Sequence, residues 1–419
     1  MCPPPSPETA PVMTPAASLV FTTLLSHGPL TRAETGRRTG LSPAAVTKAV
    51  RPLMELGYLV EGADEGARPA VGRPASLVWV DAGRALFIGI KVTGDEIIAV
   101  LADLCCRVRI ARHVRLTDRE PEAVLPAVIA LVQELLTEAD GFGVPVRGLG
   151  IAVSGDVDRA HGTVRYSPFL EWRDVPLAEI VRTATGLPVT VDNDVRALTV
   201  AEHWFGAGVG LSDFALVTVG AGIGCGLVVH GRVVSGAHGV SGEIGHLSLD
   251  PLGPLCHCGN RGCVEAIAAD PAILRAVRES RENAESPERP EGRGSREDSE
   301  DAENTDRPVT SAAEALELAR GGDPGAREVY ARAGEAIGKA IGSLVNLLGP
   351  ERVIISGEGL AAYDLFADGI REAFAASAFG TASQCDVMTR PLPFAEWARG
   401  AAATAIQSFI GSDTYEEQP

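Results

Sequence analysis

The sequence has no run of 18 uncharged apolar residues, so no segment is expected to cross a bilayer as a helix. Its start, MCPPPSPETAPVM, lacks both the basic cluster and the apolar stretch of a secretory signal. Cysteine is scarce: there are eight in 419 residues, three of them crowded between 256 and 263 and two adjacent at Cys105-Cys106. That distribution makes no disulfide framework and fits a reducing compartment. These absences lead to the expectation of a cytoplasmic protein with no membrane partner. Positive charge is also short, with 37 Lys and Arg against 55 Asp and Glu for a net −18. A uniform excess of that size would repel nucleic acid. What the sequence does have is a 45% apolar fraction and a length too great for one core, so two or three domains are expected.

The charge is unevenly spread. Residues 1–85 hold eight Lys/Arg against seven Asp/Glu, and residues 16–57 hold five (Arg32, Arg37, Arg38, Lys48, Arg51) against two (Glu34, Glu55). A locally basic segment on an acidic chain is the pattern of a small DNA-binding domain joined to a larger effector domain. After a disordered tail at 1–15, Ala16–Ser26 reads as an amphipathic helix with Leu19, Val20, Thr23 and Leu24 on one face. Thr31 caps a second helix, Arg32–Arg38, which Gly40 stops, and Ser42-Pro43 opens a third that runs through Val46, Val50, Leu53 and Met54 to Gly57. The tight Thr39-Gly40-Leu41 turn makes a helix-turn-helix. Tyr58-Leu59-Val60 and Ser76–Val80, around a Gly/Pro/Arg loop, read as the hairpin of a winged helix covering 16–82. In this arrangement the third helix enters the major groove of a double-stranded DNA operator. Ser42, Ala45, Thr47 and Lys48 lie on its leading face and Arg51 near a phosphate. Arg73, in the wing sequence Gly72-Arg73-Pro74, is suited to a minor groove. A three-helix interaction module that never meets DNA is the alternative.

The densest chemistry lies in the 28 residues His238–Glu265, HGVSGEIGHLSLDPLGPLCHCGNRGCVE. His246 is followed by Cys256, Cys258 and Cys263, and the Pro251-Leu252-Gly253-Pro254 bend can fold the two parts together. Three thiolates and an imidazole form a tetrahedral set suited to Zn2+, and four protein ligands make such a site structural rather than catalytic. His257 is the rival imidazole, although the middle side chain of an extended Cys-x-Cys points away from its neighbours. Three reduced buried cysteines beside an unrelated histidine are the plain alternative.

Glu243-Ile244-Gly245-His246, followed by Cys256-His257-Cys258-Gly259-Asn260-Arg261-Gly262-Cys263-Val264-Glu265, resembles the signature of the ROK family of repressors, open reading frames and sugar kinases. The resemblance implies that the histidine and three cysteines hold zinc and that Glu243, His246 and Glu265 reach a bound sugar. It further implies an α/β fold, a two-lobed actin/hexokinase-like domain over 83–411 behind the winged helix-turn-helix. The strand pattern agrees: Leu86–Val92, Glu96–Leu101, Cys106–His113, the helix Pro121–Ala139 and the strand Leu149–Val153 are echoed by Phe214–Val219, Cys225–His230 and Arg352–Ser356. Val191-Asp192-Asn193-Asp194, ahead of a helix over 195–205, resembles the family's Asn-Asp pair, in which the asparagine binds hydroxyls and the aspartate is the kinase base. Read without the resemblance, the same cluster is a helix cap. Ser154-Gly155 and Ser167–Trp172 resemble the loop over the sugar, with Phe169 where many members carry asparagine.

One motif departs from the family. ROK sugar kinases share an Asp-x-Gly-Gly-Thr-Lys loop for the phosphates and magnesium of ATP, but here Lys91 stands for the aspartate, Thr93 for the first glycine, and Asp95 and Glu96 for the threonine and lysine. Two carboxylates repel triphosphate and the metal anchor has become a cation, so neither ATP nor Mg2+ is expected. Gly220–Gly226 and Gly357-Glu358-Gly359 read as inherited turns. Residues 279–307, with eleven acidic and five basic side chains, should be a disordered insertion, and 412–419 a frayed tail. The resulting expectation is a sugar- or sugar-phosphate-responsive transcriptional regulator, a repressor of carbohydrate genes working as a homodimer or dimer of dimers, because two half-sites need two winged helices. The alternative is an ATP-dependent sugar kinase with Asp194 as catalytic base.

Overall fold

The computed structural model describes residues 13–63, 76–285 and 308–411. The chain forms two compact units, one of Met1–Ala215, Gly226–Ser241 and Leu392–Pro419, the other of Leu216–Cys225 and Gly242–Pro391. The amino-terminal segment, expected as a domain of its own over 16–82, belongs to the first unit.

That segment begins with α1 (Pro15–His27), capped by the Thr14 hydroxyl, which accepts from the Ala17 amide at 3.3 Å. Its buried stripe is Ala17, Val20, Phe21, Leu24 and Leu25, while Leu19 is 46% exposed. The expected face is therefore turned: at 100° per residue Leu19 lies opposite Phe21, the bulkiest side chain of the helix. β1 (Leu30–Thr31), too short for any periodicity to announce, leads to α2 (Arg32–Thr39), α3 (Pro43–Glu55), β2 (Leu59–Ala63) and β3 (Ser76–Val80). The three strands form an antiparallel sheet in the order β1-β3-β2. Val46, Ala49, Val50 and Leu53 turn the inner face of α3 toward this small core.

The first unit continues with β4 (Leu86–Val92), β5 (Glu96–Asp103) and β6 (Val108–Arg115), an antiparallel meander. β6 starts two residues later than expected because Cys106 takes a positive φ of 57° in the preceding turn. α4 (Pro121–Ala139) crosses over to β7 (Val146–Val153), which runs parallel to β4. The small sheet of β8 (Asp156–Asp158), β9 (Thr163–Ser167) and β10 (Trp172–Val175), then α5 (Leu177–Thr185), leads to β11 (Val189–Asn193), parallel to β7, and to α6 (Asp194–Phe205). The main sheet is ordered β11-β7-β4-β5-β6. β4 is buried along its whole length, which is why it reads as a continuous apolar run. Register places Lys91 opposite Ala152, and Asn193 opposite Val153, so Lys91, Ser154, Asn193 and Asp194 gather at the carboxyl end of three parallel strands. Ligands of open α/β sheets bind at that end.

β12 (Phe214–Val219), β13 (Ile223–Val229) and β14 (Arg232–Val233) come next, followed by α7 (Val264–Ala268), α8 (Asp270–Glu285), α9 (Ala312–Gly321) and α10 (Pro324–Leu348). β15 (Arg352–Ser356), α11 (Tyr363–Ser377) and β16 (Asp386–Thr389) complete a sheet ordered β14-β13-β12-β15-β16. Residues 279–285, expected to begin the disordered insertion, instead extend α8; its Ile273 and Val277 anchor a helix that the charged residues beyond can continue. The rest of the insertion lies outside the described residues. In α10, a Cβ added to Gly334, Gly338 or Gly342 would strike Phe366, Ile370 or Ser377 of α11, so these glycines, one turn apart, let the two helices touch.

The last helix, α12 (Ala395–Ile410), returns to the first unit. Its small face of Ala398, Ala401 and Ala402 lies directly on β4 and β7 at Gly89 and Gly150, where any Cβ would collide with its backbone. α4 covers the opposite face through Val124, Val128 and Leu135. Among the described residues no helix is long and apolar enough to cross a membrane.

Candidate functional site

In the second unit the Asp250–Gly253 turn folds His246 back over the cysteine segment: the Leu249 amide donates to the Gly262 carbonyl and the Gly262 amide to the Pro254 carbonyl, both at 2.8 Å. Gly262 at φ 63°, with Asp250 where a Cβ would stand, and Gly259 at φ 91° are turns that only glycine makes easily. The outcome is a cluster in which the ligand atoms of His246, Cys256, Cys258 and Cys263 all lie within 4.8 Å of one another. His246 Nδ1 is 3.6 Å from Cys256 Sγ, and Cys258 Sγ is 3.7 Å from Cys263 Sγ. Four ligands around one ion with metal–sulfur bonds of about 2.3 Å place their sulfurs about 3.8 Å apart, so the spacing fits a tetrahedral metal and is far too long for a disulfide. Burial pushes the Cys263 thiol up to about 12 and raises Cys256, whereas the Asn260 backbone N–H lowers Cys258. A bound divalent cation is what brings such a set to its thiolate form.

His257 faces the other way. Its Nδ1 lies 3.3 Å from Glu265 Oε1, and its ring meets that of His246 edge-on at 5.1 Å. The other Glu265 oxygen accepts from the Ile223 amide at 3.1 Å. His246 Nε2, on the side away from Cys256, is 4.0 Å from Glu243 Oε2. One imidazole thus faces thiols through one nitrogen and a half-exposed carboxylate through the other, the usual way in which a ligating histidine is oriented.

In the first unit, Lys91 and Asp194, both buried, form an ion pair. The Lys91 ammonium also donates to Ser154 Oγ at 2.9 Å, and Ser154 Oγ donates to Asp194 Oδ2 at 2.6 Å. The ring of Trp397 lies 5.5 Å from Lys91 Nζ. Burial pushes the Asp194 carboxyl up, but the Lys91 charge and the hydrogen bonds from Lys91, Ser154 and the Val195 amide outweigh it, leaving it below the ordinary carboxylate value. Asn193 caps α6: its Oδ1 accepts from the Val195 and Arg196 amides at 3.0 and 3.2 Å, and its Nδ2 donates to the Gly155 carbonyl at 3.0 Å. Among the described residues, one Nδ2 hydrogen has no further partner.

Two turns that could cradle phosphate are closed by side chains of the chain itself. At the β4–β5 turn, Thr93 Oγ1 accepts from the Asp95 and Glu96 amides at 3.4 and 3.1 Å and donates to Asp95 Oδ1 at 3.0 Å. Within the second unit, Glu358 Oε1 accepts from the Ala221 amide at 3.1 Å. These backbone donors are the kind that cradle phosphate, and here they serve carboxylate and hydroxyl oxygens of the chain itself.

On α3 the Ser42 hydroxyl accepts from the Ala45 amide at 3.3 Å, and Thr47 donates its hydroxyl to the Pro43 carbonyl at 2.9 Å. Thr47, Lys48 and Arg51 are exposed on one face with Pro43 and Ala44, while Ala45 is half-buried. Arg51 pairs with Glu55 at 2.8 Å. Arg73 and the rest of the wing tip lie outside the described residues.

The ROK family model matches residues 87–408. The chain belongs to the ROK family. It is 30% identical to the DNA-binding transcriptional dual regulator NagC of Escherichia coli over 342 residues, 82% of this chain and 80% of NagC. It is 28% identical to the xylose repressor of Caldicellulosiruptor bescii over 358 residues, 84% and 86% of the two chains. Its fold matches the crystal structure of a ROK family transcriptional regulator, a homologue of the E. coli MLC protein, with a TM-score of 0.77 and 27% identity over 95% of this chain and 96% of that one.

Two features of this ROK chain escaped the sequence. Asp192 and Arg196, buried and 2.7 Å apart, bind β11 to α6, and only their four-residue separation across a strand end hinted at it. Ser154 was placed near the ligand, but its link to Lys91 and Asp194 needs the parallel register of β4, β7 and β11.

Proposed function

We propose that this ROK protein is a cytoplasmic, sugar-responsive DNA-binding transcriptional regulator that represses carbohydrate genes. The observation that carries the reading is the pairing of an exposed, capped α3 in a winged helix with a ROK domain whose phosphate-type turns are closed by Thr93 and Glu358. In this reading Ser42, Ala45, Thr47 and Lys48 meet the groove and Arg51 a phosphate, and Arg73 is a further DNA contact read from the sequence alone. Regulation by a sugar or sugar phosphate rests on Asn193, Asp194, Glu243, His246 and Glu265, the residues that the family resemblance assigns to sugar hydroxyls. Zn2+ held by His246, Cys256, Cys258 and Cys263 fixes the loop that carries Glu243 and Glu265. A homodimer supplies two α3 helices to two half-sites. Asp194, bonded to Lys91, lacks the freedom of a kinase base. The kinase alternative and the regulator reading separate in one pair of measurements on the same protein. Operator binding to the gene's own upstream region, read by anisotropy with and without glucose, N-acetylglucosamine and xylose, should be specific and sugar-dependent. ADP release with magnesium and ATP should stay at background. Sugar-dependent turnover without operator binding would overturn the proposal.

A further inference from the structure

The geometry points to Lys91 as a positioning residue of the sugar site, an internal counter-ion that holds Asp194 ionised and fixed as a hydroxyl acceptor. The inference deepens the proposed sugar site and rests on it. Lys91 projects from the carboxyl end of β4 and Asp194 starts α6, and in each the charged side chain is at most 10% exposed. A charge buried this deeply is costly unless its partner is built in, and removing one member leaves the other uncompensated. The bonding of the pair divides its atoms. Asp194 Oδ2 takes both Lys91 and Ser154, while among the described residues Oδ1 takes only the Val195 amide, at 2.9 Å. An ionised carboxylate oxygen has a second lone pair, so Oδ1 keeps an acceptor site for an uncharged ligand hydroxyl.

The charged surroundings single out Lys91 as the group that sets this state. On α6, Arg196 is committed to Asp192. On α12, Trp397 faces Lys91, and Glu396 and Arg399 are paired with each other. Just beyond β7 the neighbour is the uncharged Ser154. Taking away the ammonium leaves burial, the largest influence on Asp194, opposed by the hydrogen bonds from Ser154 and the Val195 amide without the Lys91 charge. The carboxyl then gains a proton at a higher pH, and its outer oxygen is no longer held as an anionic acceptor. Lys91 therefore acts on the ligand only through Asp194.

The test compares the unmodified full chain with Lys91→Met, which keeps the length of the side chain without its charge, and with Lys91→Met/Asp194→Asn, which removes both charges. Two quantities are read between pH 5 and 8. One is the 13C carboxyl resonance of Asp194 in the ligand-free protein. The other is calorimetric affinity for whichever of glucose, N-acetylglucosamine or xylose binds the unmodified protein. The unmodified protein should show a flat carboxyl signal and a flat affinity. In Lys91→Met the carboxyl should titrate within the range, with affinity falling about tenfold per pH unit below its midpoint, as one-proton linkage requires. The double variant should bind weakly with no pH dependence. A Lys91→Met protein whose carboxyl signal and affinity stay as flat as those of the unmodified chain overturns the inference. If none of the three sugars binds the unmodified protein, the sugar reading fails, and the carboxyl signal still decides the pairing. If Lys91→Met does not fold, a folded double variant upholds the pairing, and an unfolded one overturns it by showing that Lys91 serves the fold independently of Asp194.

Discussion

The Ser18 hydroxyl of α1 donates to the carbonyl of Ile410, the last residue of α12, at 2.9 Å and out of contact with solvent. The bond ties the first helix of the winged helix to the end of the helix whose opening turn carries Trp397 over Lys91. Beside it, Phe409 meets Tyr58 at 5.8 Å and Phe87 at 5.3 Å between ring centres. α12 thus connects Lys91 with the winged-helix segment, within one unit. Phe409→Ala should cost about 3–5 kcal/mol of stability by leaving a cavity, and Ser18→Ala about 1 kcal/mol. Ser18→Ala should leave operator affinity near normal while shrinking its change on adding sugar; anisotropy titrations with and without sugar check this.

Zinc should copurify at one equivalent per chain and be lost in the Cys258→Ala/Cys263→Ala variant, as elemental analysis of reduced protein will show. The loop should then become protease-sensitive near Leu252, whose side chain is already 92% exposed. A protein purified without metal under reducing conditions would remove zinc from the reading.

Asp192 is fully buried against Arg196, and Arg196→Met leaves that carboxylate without its main partner. The loss should be about 3–5 kcal/mol. Adding Asp192→Asn should restore much of it, a recovery that urea denaturation of the single and double variants will measure.

Asp270 supplies a pH test. Burial, then the nearby Glu358 charge, pushes its carboxyl up from 3.8 to about 6. The folded state therefore holds a proton that the unfolded state has released between about pH 4 and 6, so this group's contribution to stability falls as pH rises through that window. Asp270→Asn should stabilise the protein by about 2–3 kcal/mol at pH 7.5, since each pKa unit is about 1.4 kcal/mol. The gain should fade toward pH 4.5, which paired denaturation curves at the two pH values will show.

On α3, Lys48→Ala should weaken operator binding and reduce its dependence on salt, because a phosphate contact releases counterions. Thr47→Ala should instead change sequence preference, though only modestly, since its hydroxyl already bonds the Pro43 carbonyl. Deleting residues 1–85 should abolish operator binding and preserve bound zinc; retained operator affinity would refute the winged-helix assignment.

Much of this protein is legible in its sequence because the signals are local. Thr31 and Ser42 announce helix starts through a side-chain oxygen three residues from the amide it caps, and both bonds are present. The Ile/Val runs of β4 and β12 match their strands end to end, because strands buried on both faces need no polar alternation. The His/Cys cluster is legible as well, since four candidate ligands of two types within 18 residues, His246 to Cys263, leave few ways to fold. What the sequence alone could not decide is everything set by register between distant strands. That Lys91 meets Asp194, 103 residues away, follows from parallel pairing of β4, β7 and β11. That His257 turns to Glu265, and Asn193 spends its oxygen on a helix cap, depends on backbone directions that composition does not encode. Leu19 could be taken for core because hydrophobicity names which side chains prefer burial, but only the packed neighbours of Phe21 decide which face of α1 receives it.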